Sequence, residues 1–91
     1  MLELVWEPLA TEQLSAIIEY IAQHNFPAAE RLERQIHAKV ELACHVPGMG
    51  RPGRVSETRE IVAHPNYLVI YRVTDERLYV IRVLHSRQQY P

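Results

Sequence analysis

Around residues 46–54 the hydrophobic period of this chain changes, and that switch limits its fold more than any other feature. Upstream, Leu14, Ile17, Ile18 and Ile21 recur at i, i+3, i+4 and i+7, which is one apolar stripe on an amphipathic helix over about residues 8–24. Ala29, Leu32, Ile36, Val40 and Ala43 continue at three-to-four spacing through a second helix, about 27–45. Between them, Asn25-Phe26-Pro27 ends one helix and starts the next: Asn tolerates the left-handed C-terminal position, and Pro27 suits a new first turn. So short a connection makes the pair an antiparallel hairpin. The segment Val46-Pro47-Gly48-Met49-Gly50-Arg51-Pro52-Gly53-Arg54 holds all three glycines and reads as a loop with almost no regular structure.

Downstream the period is two. Thr58–Ala63, Tyr67–Val73 and Leu78–Leu84 are rich in Val, Ile and Tyr, and the short breaks at His64-Pro65-Asn66 and Thr74–Arg77 allow antiparallel hairpins. Ahead of the first helix, Leu2-Glu3-Leu4-Val5-Trp6 alternates over a strand length before Pro8, and Trp6 and Tyr20 read as core residues. The order strand, helix, helix, strand, strand, strand predicts an α+β fold. An N-terminal strand and an antiparallel helix hairpin pack on one face of a small antiparallel sheet with three C-terminal strands. At 91 residues, one domain spanning 1–91 is the expected organisation.

With Asp75-Glu76 as the tip of the last hairpin, Val73 faces Leu78, Tyr71 faces Val80, Val69 faces Arg82 and Leu68 faces Val83. One sheet face then carries Tyr67, Val69, Tyr71, Val80, Arg82 and Leu84; the other carries Leu68, Ile70, Arg72, Tyr79, Ile81, Val83 and His85. Both are largely apolar, and two helices can cover only one. The uncovered face is expected to be a hydrophobic groove rimmed by arginine that binds an obligate or near-obligate protein partner.

Charge divides the same way. Residues 1–46 hold seven acids and three bases, whereas residues 47–91 hold four acids and seven bases, all arginine, so the net charge of −1 is a cancellation. Arg51, Arg54, Arg59, Arg72, Arg82 and Arg87, with His64, His85 and Tyr90, offer forks for phosphate and candidate acids and bases for breaking a phosphodiester. The same arginines would equally keep an exposed strand edge soluble. No metal or cofactor is expected: His37, His45 and Cys44 lack a paired ligand spacing, and the glycine loop follows a helix and lacks the lysine of a phosphate loop. The lone Cys44 fits a reducing interior, and neither a signal peptide nor a membrane span is legible, so a cytoplasmic protein with no membrane contact is expected.

Gly50-Arg51-Pro52-Gly53-Arg54, Thr58-Arg59-Glu60-Ile61-Val62, the strand Tyr67-Leu68-Val69-Ile70-Tyr71-Arg72-Val73 and the ending Ile81-Arg82-Val83-Leu84-His85-Ser86-Arg87-Gln88 resemble the RelE/ParE superfamily of bacterial type II toxins. The resemblance implies a small toxin of a plasmid-stabilising, or addiction, module, held in check by a cognate antitoxin. It further implies one of two targets. RelE-like members cut mRNA on the ribosome, whereas ParE-like members poison DNA gyrase. Leu68 stands where ribosome-dependent nucleases typically place an arginine, and the only lysine, Lys39, lies on a helix, so the resemblance leans to ParE. If the chain is instead an mRNA interferase, a metal-independent endoribonuclease, Arg59, His85, Arg87 and Tyr90 are its candidate catalytic residues. Arg51, Arg54, Leu68, Ile70, Arg72, Ile81 and Val83 are the candidate antitoxin- or target-binding residues. A third reading is a non-toxic interaction module. Sequence-specific DNA contact is not expected from such a toxin alone.

Overall fold

A computed structural model describes residues 1–90. Strand β1 (Glu3–Trp6) leads into helices α1 (Pro8–Ala22) and α2 (Phe26–His45), followed by strands β2 (Arg51–Pro52), β3 (Arg59–His64), β4 (Tyr67–Val73) and β5 (Arg77–His85). The expected order of elements stands, but the sheet is mixed rather than antiparallel. Its strand order is β1-β5-β4-β3-β2, and β1 runs parallel to β5 with Leu4 opposite Leu78 and Trp6 opposite Val80. That pairing joins the two ends of the chain, so no local turn signal could announce it.

Both helices start where proline occupies the first turn, since the ring presets φ and the missing N–H is not needed there. Asn25 does not take the left-handed position. It is extended at φ −159°, and its side chain accepts from Ala28 N at 3.1 Å, capping α2. The loop around Pro47 is also more regular than its composition implies. A turn of 3-10 helix at Pro47–Met49 and the two-residue β2, paired with β3 through Arg51 and Glu60, give it a fixed path.

The helix-side core joins Ala10, Leu14, Leu32, Ile36 and Val40 to Ile61, Val69, Tyr71, Leu78, Val80 and Val83 of the sheet. Trp6 packs against this core, but Tyr20, expected inside, is 65% exposed and stands edge-on to His24.

A bulge in β5 corrects the expected faces. Val73 opposite Leu78 and Tyr71 opposite Val80 hold, but Ile70 then pairs with Arg82, Val69 with Val83, Leu68 with Leu84 and Tyr67 with His85. One extra residue at Ile81 absorbs the shift, and because side chains alternate with period two, everything beyond it changes face. Val83 and His85 therefore lie on the helix side, and Arg82 and Leu84 on the open side. Val83, expected in a binding groove, is buried in the core.

Candidate functional site

The open face is built on Leu68, Ile70 and Leu84, a separate small cluster against which Tyr90 packs. These three side chains are buried rather than exposed, because the C-terminal segment turns back over them. Leu68 and Ile70 thus form a floor and not the contact surface itself. Beside them lies a groove of about 290 Å³, with Ile70, Arg72, Ile81, Arg82 and Tyr90 on one side and Val55, Ser56 and Thr58 on the other.

The loop forming the second wall is held locally. Thr58 Oγ1 donates to Val55 O at 2.6 Å, Gly53 N donates to Thr58 O at 2.8 Å, and Glu57 takes a left-handed φ of 66° between them. Its other anchor is the tail: the Arg54 guanidinium lies 4.7 Å from the Tyr90 ring centroid. The Arg72 guanidinium is similarly stacked on Tyr79, also at 4.7 Å. The Arg82 side chain makes no hydrogen bond or ion pair among the described residues. Arg51 lies at the sheet margin, donating from Nε to Glu60 Oε1 at 2.9 Å. Glu60 is buried, and its Oε2 has no partner. Keeping Arg51 beside it offsets the desolvation of that carboxylate.

The four candidate catalytic residues do not converge. Arg59 pairs with Tyr71 on the helix side, and its Nη1 donates to Gly50 O at 2.7 Å. Tyr71, fully buried, donates to Pro47 O at 2.7 Å and accepts from Gly50 N at 3.0 Å, so Arg59 and Tyr71 together tie the 47–50 turn to the sheet. Burial raises the Tyr71 phenol above its ordinary value, against the opposing pull of the Gly50 amide and of Arg59. His85 sits edge-on to Tyr67 on the helix side, with Nδ1 accepting from Arg87 N at 3.1 Å, and the Arg87 side chain is exposed in the following turn. Tyr90 is on the opposite face, and its hydroxyl is buried without a partner.

Of the candidate binding residues, Arg72 and Ile81 line the groove and Arg54 lies beside it on the Tyr90 ring. Sequence reasoning missed Thr58 in its wall and placed Arg82 on the wrong face. The hydroxyl of Thr58 carries no pattern, and the bulge that redirects Arg82 has no glycine to mark it. No group of His, Cys, Asp and Glu suited to a metal is found among the described residues, and none of their helices is long and apolar enough to cross a membrane.

Comparison with known proteins places the whole domain among relatives. Residues 4–90 match the family described as the ParE toxin of the type II toxin-antitoxin system parDE. The chain is 34% identical over 87 residues to the putative toxin Y4kP of Sinorhizobium fredii, covering 94% of this chain and 90% of that protein. It is 30% identical over 86 residues to toxin RelE2 of Caulobacter vibrioides, covering 94% and 97%. A chain from the chromosomal ParDE TA system of P. aeruginosa has the same fold, with a TM-score of 0.81 over 93% of this chain and 96% of that one, at 22% identity.

Proposed function

The chain belongs to the ParE toxin family of type II toxin-antitoxin systems, and from that premise we propose that it stops growth by poisoning DNA gyrase until a cognate antitoxin covers it. The observation that carries this reading is the chemistry of the open-face groove. Arg72 and Arg82 stand over an apolar floor, an arrangement suited to gripping a protein surface. The groove is lined by no histidine, lysine or carboxylate, and the hydroxyl of its only phenol, Tyr90, is turned inward and buried. A nuclease needs a general acid and base within reach of the scissile bond, and His85 and Arg59 lie on the other side of the sheet.

Such a toxin works in the cytoplasm, within a module that stabilises a plasmid or a chromosomal locus. The arginine rim and apolar floor suit the antitoxin as well as the target, so neutralisation works by occupying the same surface.

Purified protein is expected to inhibit supercoiling by gyrase, and controlled expression is expected to give filamentous cells with DNA damage. Arg72→Ala with Arg82→Ala should remove both effects, and Arg59→Ala with His85→Ala should leave them. The opposite pattern, with position-specific cuts in mRNA in a translation reaction and an immediate halt in protein synthesis, would assign the ribosome-dependent nuclease instead.

A further inference from the structure

A second cleft, of about 390 Å³, lies on the helix side where α1 crosses the C-terminal half of β5. Ala16, Ile17 and Tyr20 of α1 face Tyr67, Val83 and His85 across it. Its origin is the shortness of β1. That strand ends at Trp6 opposite Val80, and its last bond to β5 is from Glu7 N to Val80 O at 3.0 Å, after which the chain turns into α1. Beyond Val80, β5 continues to His85 with β4 on one side and no strand on the other.

The hydrogen bonds of that free edge define what it can accept. Val83 N donates at 2.9 Å to Oε1 of Gln13, a side chain from α1, and so points away from β4. Backbone groups of an antiparallel strand alternate sides, so the His85 N–H points the same way, with Leu84 directed at β4 between them. Without the bulge at Ile81 the opposite set would face outward. The Gln13 carboxamide therefore occupies the position of a carbonyl from a missing neighbouring strand.

We propose that this cleft receives an extended, uncharged segment of a protein partner, which pairs with residues 81–85 of β5 in line with β1 and displaces Gln13. The free edge selects an extended backbone because it presents donors and acceptors at a two-residue repeat. Alternate side chains of the added segment would lie against Ala16 and Ile17, and the intervening ones would face the open side. The lining carries no carboxylate, lysine or arginine, so apart from the single imidazole of His85 a charged side chain directed inward would meet no opposite charge. The cleft volume falls within the range of about 300–1,000 Å³ typical of binding clefts. The edge and its cleft are the same whichever cellular machine the toxin stops.

The test uses the full chain, isotope-labelled for amide exchange, with a capped heptapeptide of alternating threonine and valine as probe. The control is the same peptide N-methylated at alternate residues. Binding of the probe is expected to slow exchange of the His85 amide about tenfold, and the control is expected to do nothing. Gln13→Ala should speed Val83 exchange in the free protein and tighten the probe several-fold, because the competing carboxamide is gone; a thermal melt verifies that the variant is folded. Lack of binding at millimolar probe, equal binding of the methylated control, or protection located away from Val83 and His85 would each overturn the proposal. So would weaker binding by a folded Gln13→Ala variant.

Discussion

On the helix side of the sheet, Val69, Tyr71, Leu78, Val80 and Val83 join residues from both helices in one continuous core. On the open side, Leu68, Ile70 and Leu84 form a cluster of three, and among the described residues the one partly buried hydrophobic side chain packed against it is that of Tyr90. The same strands supply both clusters, one residue apart, so the difference lies in what covers them. Two long helices make the first face a stability element, and a tail with the loop at 53–58 leaves the second with a groove and spare arginines. Marginal cover is what a surface meant for another molecule requires, since anything bound there must find area still exposed.

The largest test of this contrast is Leu78→Ala, which removes a fully buried side chain between β5 and the helices. Destabilisation of about 2–5 kcal/mol is expected in chemical unfolding. A loss near zero would mean the helix face is not the main core.

Next in size is Tyr71→Phe, which strips the Gly50 amide and the Pro47 carbonyl of their shared partner and should cost about 1–3 kcal/mol. Tyr71 also sets a pH dependence. Its folded value is raised, so its contribution is complete below the unfolded phenol value of about 10 and is lost as pH climbs above that through the folded value. A stability titration should therefore fall in that alkaline window, and the Phe variant should lack this component.

Tyr90→Ala sharpens the other side of the comparison. It uncovers Leu68, Ile70 and Leu84 at an expected cost of about 1–2 kcal/mol, with increased binding of a hydrophobic dye. Unchanged dye binding would show that the tail is not what buries this cluster.

The smallest stability effect belongs to Arg72→Ala and Arg82→Ala. Each should shift unfolding by no more than about 0.5–1 kcal/mol, since neither residue makes an ion pair and only Arg72 is stacked on a ring. If growth inhibition persists in this pair of substitutions while Leu78→Ala abolishes it only through unfolding, the open face is not the working surface.

Much of this was legible beforehand. The stripe Leu32, Ile36, Val40 and Ala43 identified α2, and alternation identified β4 to the residue. The family, too, was carried by local runs such as Tyr67–Val73 and Ile81–Gln88, and residues 4–90 match it. The candidate site was legible only as a set of residue types. Arg59 and His85 are the kinds of side chain that phosphodiester chemistry uses, but the pairing of Arg59 with Tyr71 and the bulge ahead of His85 turn both towards the helices. Leu68 and Ile70 share a face as expected, yet the tail buries them.

The boundary between the two kinds of knowledge follows the range of the forces involved. Helix and strand periods, proline at helix starts and the break at 46–54 are short-range consequences of sterics and burial, so the sequence by itself determined them. The parallel pairing of β1 with β5, the bulge at Ile81 and the distribution of arginines between the faces were decided only in the tertiary structure. Strand pairing between chain ends has no local marker, and a single bulge at an ordinary isoleucine reverses the face of every later side chain in β5. The cooperative fit of sheet against helices selects that register, so Val83 reaches the core and Arg82 reaches the groove.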